Sequence, residues 1–209
     1  MERQQKASST PASPRVARRR QAQLRRILVA AARRFAVQPP DQVRMESIAD
    51  DADVARGTLY SHFPTKQSLI EAIVRPALQQ ELAAVRRLRN RSARQAIRGL
   101  LESYVDLWQT YQDALRVAHG PGGLAVGSAA PLSHDELLAE IGRLLARAER
   151  AGLLRGHDPG LAAAIIARLA VPLLELCDRH PAGPALFVEL MQAILLDPAA
   201  SASRSGSQR

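Results

Sequence analysis

The sequence predicts an all-α protein: an N-terminal three-helix helix-turn-helix domain followed by a larger helical domain. Three observations lead there. The apolar residues are largely Ala and Leu, with only 3% aromatics, a composition that favours helix over sheet. Apolar side chains recur at spacings of three and four through most of the chain. Residues 36–69 hold two very short helical stretches, joined by a tight turn and flanked by longer ones.

Residues 1–17 are rich in Ser, Pro, Ala, Gln and Arg without an apolar period, so a disordered Arg-rich arm is expected there. Leu24, Ile27, Leu28, Ala31 and Phe35 share one face of a first helix, ended by Pro39 and Pro40. A short second helix carries Met45, Ile48 and Ala49 inward, and after Asp51-Ala52-Asp53-Val54 a short third one contains Leu59. Pro64 closes it. The fourth begins near Lys66 and uses Leu69, Ile73, Ala77 and Leu88, with a kink expected at Pro76.

Ile97, Leu101, Tyr104, Trp108, Tyr111 and Leu115 form the stripe of a fifth helix, and a Gly- and Pro-rich loop runs from His119 to Pro131. A sixth helix, marked by Leu137, Ile141, Leu144 and Ala148, stops near Gly152. The last two span 158–178, with Leu161, Ile165, Leu169, Leu173 and Leu176, and 181–196, with Leu186, Leu190 and Ile194. The expected divisions are an arm (1–17), a helix-turn-helix domain (18–66), a second helical domain (67–197) and a disordered tail (198–209).

The net charge of +9 comes from 29 Lys and Arg against 20 Asp and Glu. Residues 1–71 carry 13 basic and 7 acidic side chains, so the positive field, which attracts phosphate backbones, concentrates around the short helices. Cys177 is the only cysteine, which excludes an intramolecular disulfide and a thiolate metal cluster. The opening MERQQKASSTPASPR lacks the apolar core of a signal peptide. The apolar run Leu161–Leu176 contains Arg168 and falls short of the ~20 residues that cross a bilayer. A cytoplasmic location with no membrane partner is expected.

A rigid trihelical unit presents its third helix to a DNA groove. Arg56, Thr58 and Ser61 project from that helix as the expected base readers, because Arg donates two hydrogen bonds to guanine and the Thr methyl contacts thymine. Arg44, Tyr60, His62 and Lys66 flank it with donors suited to phosphate oxygens. Ile48-Ala49, then Gly57-Thr58-Leu59-Tyr60-Ser61-His62-Phe63, then Lys66 and Leu69 resemble the DNA-binding domain of the TetR/AcrR family of bacterial regulators, over residues 24–70. The resemblance implies that Gly57 allows close helix packing, that Tyr60 and His62 contact the backbone or groove edge, and that Lys66 holds a phosphate. It also implies a homodimer through the helices near 158–178 and 181–196, and therefore an approximately palindromic operator.

Three positions depart from the family pattern. Asp53 stands where the turn usually has Gly, at a cost of ~1 kcal/mol in a left-handed conformation. Ala55 replaces the usual Ser cap, commonly worth ~1 kcal/mol. Arg44 stands where a Thr often caps the second helix.

Arg15, Arg18, Arg19 and Arg20 lead into this unit, either as an arm that orders on DNA or as a solubilising tail. Arg86, Arg87, Arg89, Arg91, Arg94 and Arg98 read as a wet surface. Tyr104, Trp108, Tyr111, His119 and His134 are the candidates to line a pocket for an unidentified small-molecule effector, although aromatic residues at helical spacing also build ordinary core. His119, His134, His157 and His180 are too dispersed for a metal site, and no P-loop, dinucleotide fingerprint or nucleophile elbow is present. No metal, cofactor or catalysis is expected. The main expectation is an effector-released repressor. The alternatives are an architectural or recruiting DNA-binding protein that senses nothing, and a small-molecule-binding protein or enzyme with a degenerate DNA-binding domain.

Overall fold

The computed structural model describes residues 14–120 and 132–198. These form α1 (Pro14–Val37), α2 (Met45–Asp51), α3 (Arg56–His62), α4 (Lys66–Arg87), α5 (Ala93–His119), α6 (Leu132–Arg150), α7 (Pro159–Cys177) and α8 (Gly183–Leu195). The expected loop over 121–131, the arm over 1–13 and the tail over 199–209 lie outside the described residues.

One correction concerns the arm. Residues 14–17 are helical, because α1 starts at Pro14, a residue whose fixed φ suits a first helical turn. Arg15, Arg18, Arg19 and Arg20 are therefore exposed on the opening turns of α1.

The N-terminal unit is α1 to α3. Ile27, Ala31 and Phe35 of α1 meet Ile48, Ala49 and Leu59 in a fully buried core. Short helices need such packing, since two turns alone are unstable in water. Arg34 clamps Asp51 with two hydrogen bonds of 2.5 and 2.8 Å, fixing the end of α2 to α1. Thr65 and Ser68 form a reciprocal capping box at the start of α4, satisfying two of its orphan amides. Pro76 produces no break, and α4 runs through it.

The C-terminal bundle centres on α5, which touches α1, α4, α6, α7 and α8. Its apolar spacing predicts an unbroken helix, but Tyr111 has φ −132° and ψ 38°, so α5 is interrupted there. The Arg-rich region at the end of α4 is a fastening rather than only a wet surface. Arg86 binds Glu136 at 3.1 Å, Arg89 and Arg143 bind Glu140, and Arg147 donates to the carbonyls of Arg89 and Arg91 at 2.6 and 2.7 Å. Hydrogen bonds from Arg89 and then Arg143 pull the Glu140 carboxyl down to about 2. Gly152, at φ +63°, ends α6 in the left-handed conformation that glycine adopts freely.

The last two helices differ from expectation in which face they bury. Ala162, Ile166, Ala170, Leu174 and Cys177 of α7 point into the bundle, whereas Leu161, Leu169 and Leu176 are 50%, 42% and 70% exposed. On α8, Phe187, Val188, Met191 and Leu195 are buried and Leu190 is exposed. Both helices are apolar on two sides, so spacing alone could not choose the inner one. The α7 helix is also longer than the run read from sequence: at 19 residues, with an 18-residue stretch of mean hydropathy 1.9, it is long and apolar enough to cross a membrane. It carries Arg168 and Glu175, and Glu175 binds Arg116 of α5 at 2.7 Å.

Candidate nucleic-acid interface and internal cavity

The turn between α2 and α3 is built from local hydrogen bonds. The amide of Val54 donates to Ala49 at 3.0 Å and that of Asp53 to Asp50 at 3.1 Å, leaving Asp53 at φ 50°, in the left-handed region. Asp is among the few residues besides Gly that tolerate this conformation. Arg26 of α1 binds its carboxylate at 2.9 Å. Ala55 and Arg44 occupy the cap positions of α3 and α2, and neither supplies a side-chain cap.

Leu59 is the one α3 residue that is fully buried. At about 100° per residue, the opposite side of α3 is Gly57 and Ser61, flanked by Thr58 and Tyr60, with Arg56 nearer the Leu59 side. A Cβ at Gly57 would meet nothing within 4 Å. The expectation that this glycine serves helix packing is therefore corrected. It leaves open space on the outermost line of the helix, where another surface has room to approach.

The other predicted groups divide by what they touch. Ser61 donates to the Thr58 carbonyl at 2.8 Å, so its lone pairs remain outward. Arg56 is ion-paired with Glu46 of α2, and the Tyr60 hydroxyl donates to the same carboxylate oxygen at 3.2 Å. The backbone amide of Glu46, and after it the Arg56 guanidinium, hold the Glu46 carboxyl below its usual range. Sequence reasoning missed Glu46, because a contact across ten residues between two helices leaves no periodic trace. Lys66 donates to the Pro40 carbonyl at 2.8 Å and lies 3.4 Å from that of Asp41. It thus pins the α1–α2 loop. Arg44 is exposed, and His62 is half-buried beside Phe63.

A small cavity of about 40 Å³ lies between α4, α5 and α6. Of the five candidate effector residues, Tyr104 and His119 line it, and Trp108, Tyr111 and His134 do not. Trp108 is buried beneath Arg116, whose guanidinium sits 4.8 Å from the ring centre. Tyr111 marks the break in α5, and His134 is buried on α6. Glu81 of α4 lines the cavity and was missed, yet it had a visible signal. It occupies a core position of the stripe Val74, Ala77, Leu78, Leu82 and Val85, where a carboxylate is out of place.

Glu81 is 3% exposed, and its Oε2 has no hydrogen-bond partner among the described residues. Burial pushes its carboxyl up to about 7, against a hydrogen bond from Ser103. Burial, and after it the Glu81 charge, also raises the Tyr104 hydroxyl. His119 accepts the opposite treatment. Burial lowers its pKa and keeps the ring neutral, while Nδ1 donates to the Ala167 carbonyl at 2.9 Å.

Comparison with known proteins agrees with this architecture. Residues 27–73 match the family described as bacterial regulatory proteins, tetR family. No curated protein sequence is significantly similar to the chain. Among solved structures, a putative tetR family transcription regulator from Shewanella sp. PV-4 is 18% identical, with a TM-score of 0.61 over 84% of this chain and 98% of that one. A tetR family regulatory protein from Rhodococcus RHA1 is 22% identical, with a TM-score of 0.58 over 83% and 96%. The ketosteroid transcriptional regulator KstR2 of Mycobacterium tuberculosis is 16% identical, with a TM-score of 0.61 over 86% and 95%. At these identities the structural likeness is one of fold, and the N-terminal match supplies the kinship. Residues 27–73 thus carry the N-terminal domain of bacterial regulatory proteins of the tetR family, and the chain as a whole shares the fold of solved regulators of that family.

Proposed function

We propose that the protein is a homodimeric repressor acting in the cytoplasm. It reads an approximately palindromic operator with α3 and releases it when a small molecule enters the cavity between α4, α5 and α6. The observation that carries this reading is the double membership of α4. At its first residue, Lys66 holds the α1–α2 loop of the helix-turn-helix unit, and at Glu81, about 22 Å along at ~1.5 Å per residue, it lines the cavity. A ligand that favours one setting of α4 therefore biases the position of α3. A ligand indifferent to that setting changes nothing.

Arg56, Thr58 and Ser61 are assigned to base edges, and Arg44, Tyr60, His62 and Lys66 to the phosphate backbone. With two of the three ammonium donors of Lys66 directed at carbonyls, one remains for a phosphate oxygen. Arg15, Arg18, Arg19 and Arg20 extend the positive surface along α1. Repression is steric occupation of promoter DNA, and nothing in the reading requires catalysis.

Selection of bound duplexes from a random pool with the purified protein tests this. A palindromic consensus is expected, with half-sites about one helical turn or a multiple apart. Arg56→Ala should alter the recovered sequence, and Lys66→Ala should weaken most sites alike. Recovery of no enriched sequence at any salt concentration would remove the operator-reading function.

A further inference from the structure

The cavity has a chemical bias that its apolar walls conceal. Val74, Leu78, Leu107, Leu115 and Leu137 are among its lining residues. Into this setting α4 brings Glu81, whose Oε1 lies 2.9 Å from the Ser103 hydroxyl and whose Oε2 is unpartnered. Ser103 Oγ also lies 2.7 Å from the Leu100 carbonyl. A hydroxyl has one proton to give. When Ser103 donates it to Leu100, Glu81 bonds to Ser103 as the protonated acid, and when Ser103 donates to Glu81 the carboxylate keeps Oε2 bare. In every arrangement Oε2 is a buried carboxyl oxygen without a hydrogen-bond partner among the described residues, and in the ionised form it is a bare acceptor.

His119 lines the same cavity. Its Nδ1 gives its proton to Ala167, so in the neutral ring Nε2 is an acceptor. The cavity therefore joins an unpartnered carboxyl oxygen of Glu81 to an imidazole whose second nitrogen accepts. A molecule that satisfied both would bring N–H donors on an apolar body.

Resting on the effector reading above, we infer that this cavity takes a small amphiphilic primary amine. Its ammonium group would bind the Glu81 carboxylate and donate to His119 Nε2, with its hydrocarbon body against α4, α5 and α6. At about 40 Å³ the cavity admits the amino end as it stands. The rest of the ligand enters as the flexible ends of Leu78 and Leu137 swing aside. Neutral apolar molecules of the same shape leave the acceptors unmet and bind less well, since a buried polar group without a partner opposes binding.

The test uses the full-length protein with cyclohexylmethylamine and its neutral isostere cyclohexylmethanol, followed by calorimetry and by thermal unfolding. The amine should bind saturably and raise Tm by several degrees, and the alcohol should bind at least tenfold more weakly. Glu81→Gln, which keeps the shape of the site, should remove that preference, and His119→Phe should weaken the amine severalfold. Equal binding of amine and alcohol, or an unchanged preference in Glu81→Gln, would overturn the inference. DNA binding is read separately. If the amine binds through Glu81 and operator affinity does not fall, the site stands and the effector reading fails.

Discussion

Glu81 makes the stability of this protein depend on pH. Its carboxyl titrates at about 7 in the folded chain, against 4.5 as the ordinary value. Below 4.5 both folded and unfolded chains hold the proton. Between 4.5 and 7 only the folded chain holds it, so stability falls as pH rises, and above 7 the loss is complete. By linkage, a displacement of this size is on the order of 3 kcal/mol. His119 and His134 act in the other direction. Burial lowers both pKa values, so they reduce stability as pH falls below their ordinary value of 6.5. The profile of the native protein mixes the two effects, and the difference between it and Glu81→Gln isolates the carboxyl. Urea unfolding at pH 5, 6, 7 and 8 should show the variant gaining on the native protein across this range, by up to about 3 kcal/mol, and levelling off above pH 7. A constant difference would mean that Glu81 titrates in its ordinary range.

At the scale of elements, the helix proposed to read DNA is short and lacks a side-chain cap. Only seven residues long, α3 has Ala55 as its cap with φ −63° and ψ 144°. That is the backbone conformation a capping serine uses, and the Thr58 amide is already bonded to the Ala55 carbonyl at 2.9 Å, so Ala55→Ser should place a hydroxyl against the Gly57 amide without moving the chain. The gain should be about 1 kcal/mol, or roughly 2–4 °C in Tm for a chain of this size, read by calorimetry. No change in Tm would show that tertiary packing around Leu59 already fixes α3. The missing cap was legible in the sequence, as was the left-handed turn at Asp53, because both depend on local residue chemistry. The start of α4 and the bounds of α7 and α8 were legible for similar reasons, through prolines, short turns and capping residues. What escaped was non-local or two-sided. The start of α1 was announced by Ser13-Pro14, but this pair lies in a stretch whose composition reads as an arm, and the break at Tyr111 leaves the apolar spacing of α5 intact. The Arg56–Glu46 pair joins separate helices, and the aromatic candidates gave no sign that Trp108 would lie under Arg116 rather than against the cavity. Glu81 was visible, but a stripe search that looks for apolar residues passes over the carboxylate among them.

At the scale of the whole molecule, the outward faces of α7 and α8 call for a covering surface. Among the described residues, nine large apolar side chains are exposed, and four of them, Leu161, Leu169, Leu176 and Leu190, lie on these two helices. Half-buried Ile165, Leu173, Leu186 and Ile194 continue the patch. Contiguous apolar surface of this kind marks an interface, and a two-fold axis lets one patch cover its own copy. Leu169→Arg and Leu176→Glu place charges in that seam. Both positions are exposed in the protomer, so the fold itself should change by no more than about 0.5 kcal/mol. Light scattering after size exclusion should give twice the protomer mass of 22.7 kDa for the native protein and a single protomer for the variants. Leu138→Arg, at an exposed apolar site on α6, should remain a dimer. Operator binding then reports whether dimerisation serves recognition. Two linked half-site contacts exceed one by roughly 10²-fold or more, so the monomeric variants should lose at least that much affinity for the full palindrome while binding an isolated half-site as the native protein does. Loss of affinity for the half-site as well would place the defect in α3 rather than in the pairing of its two copies.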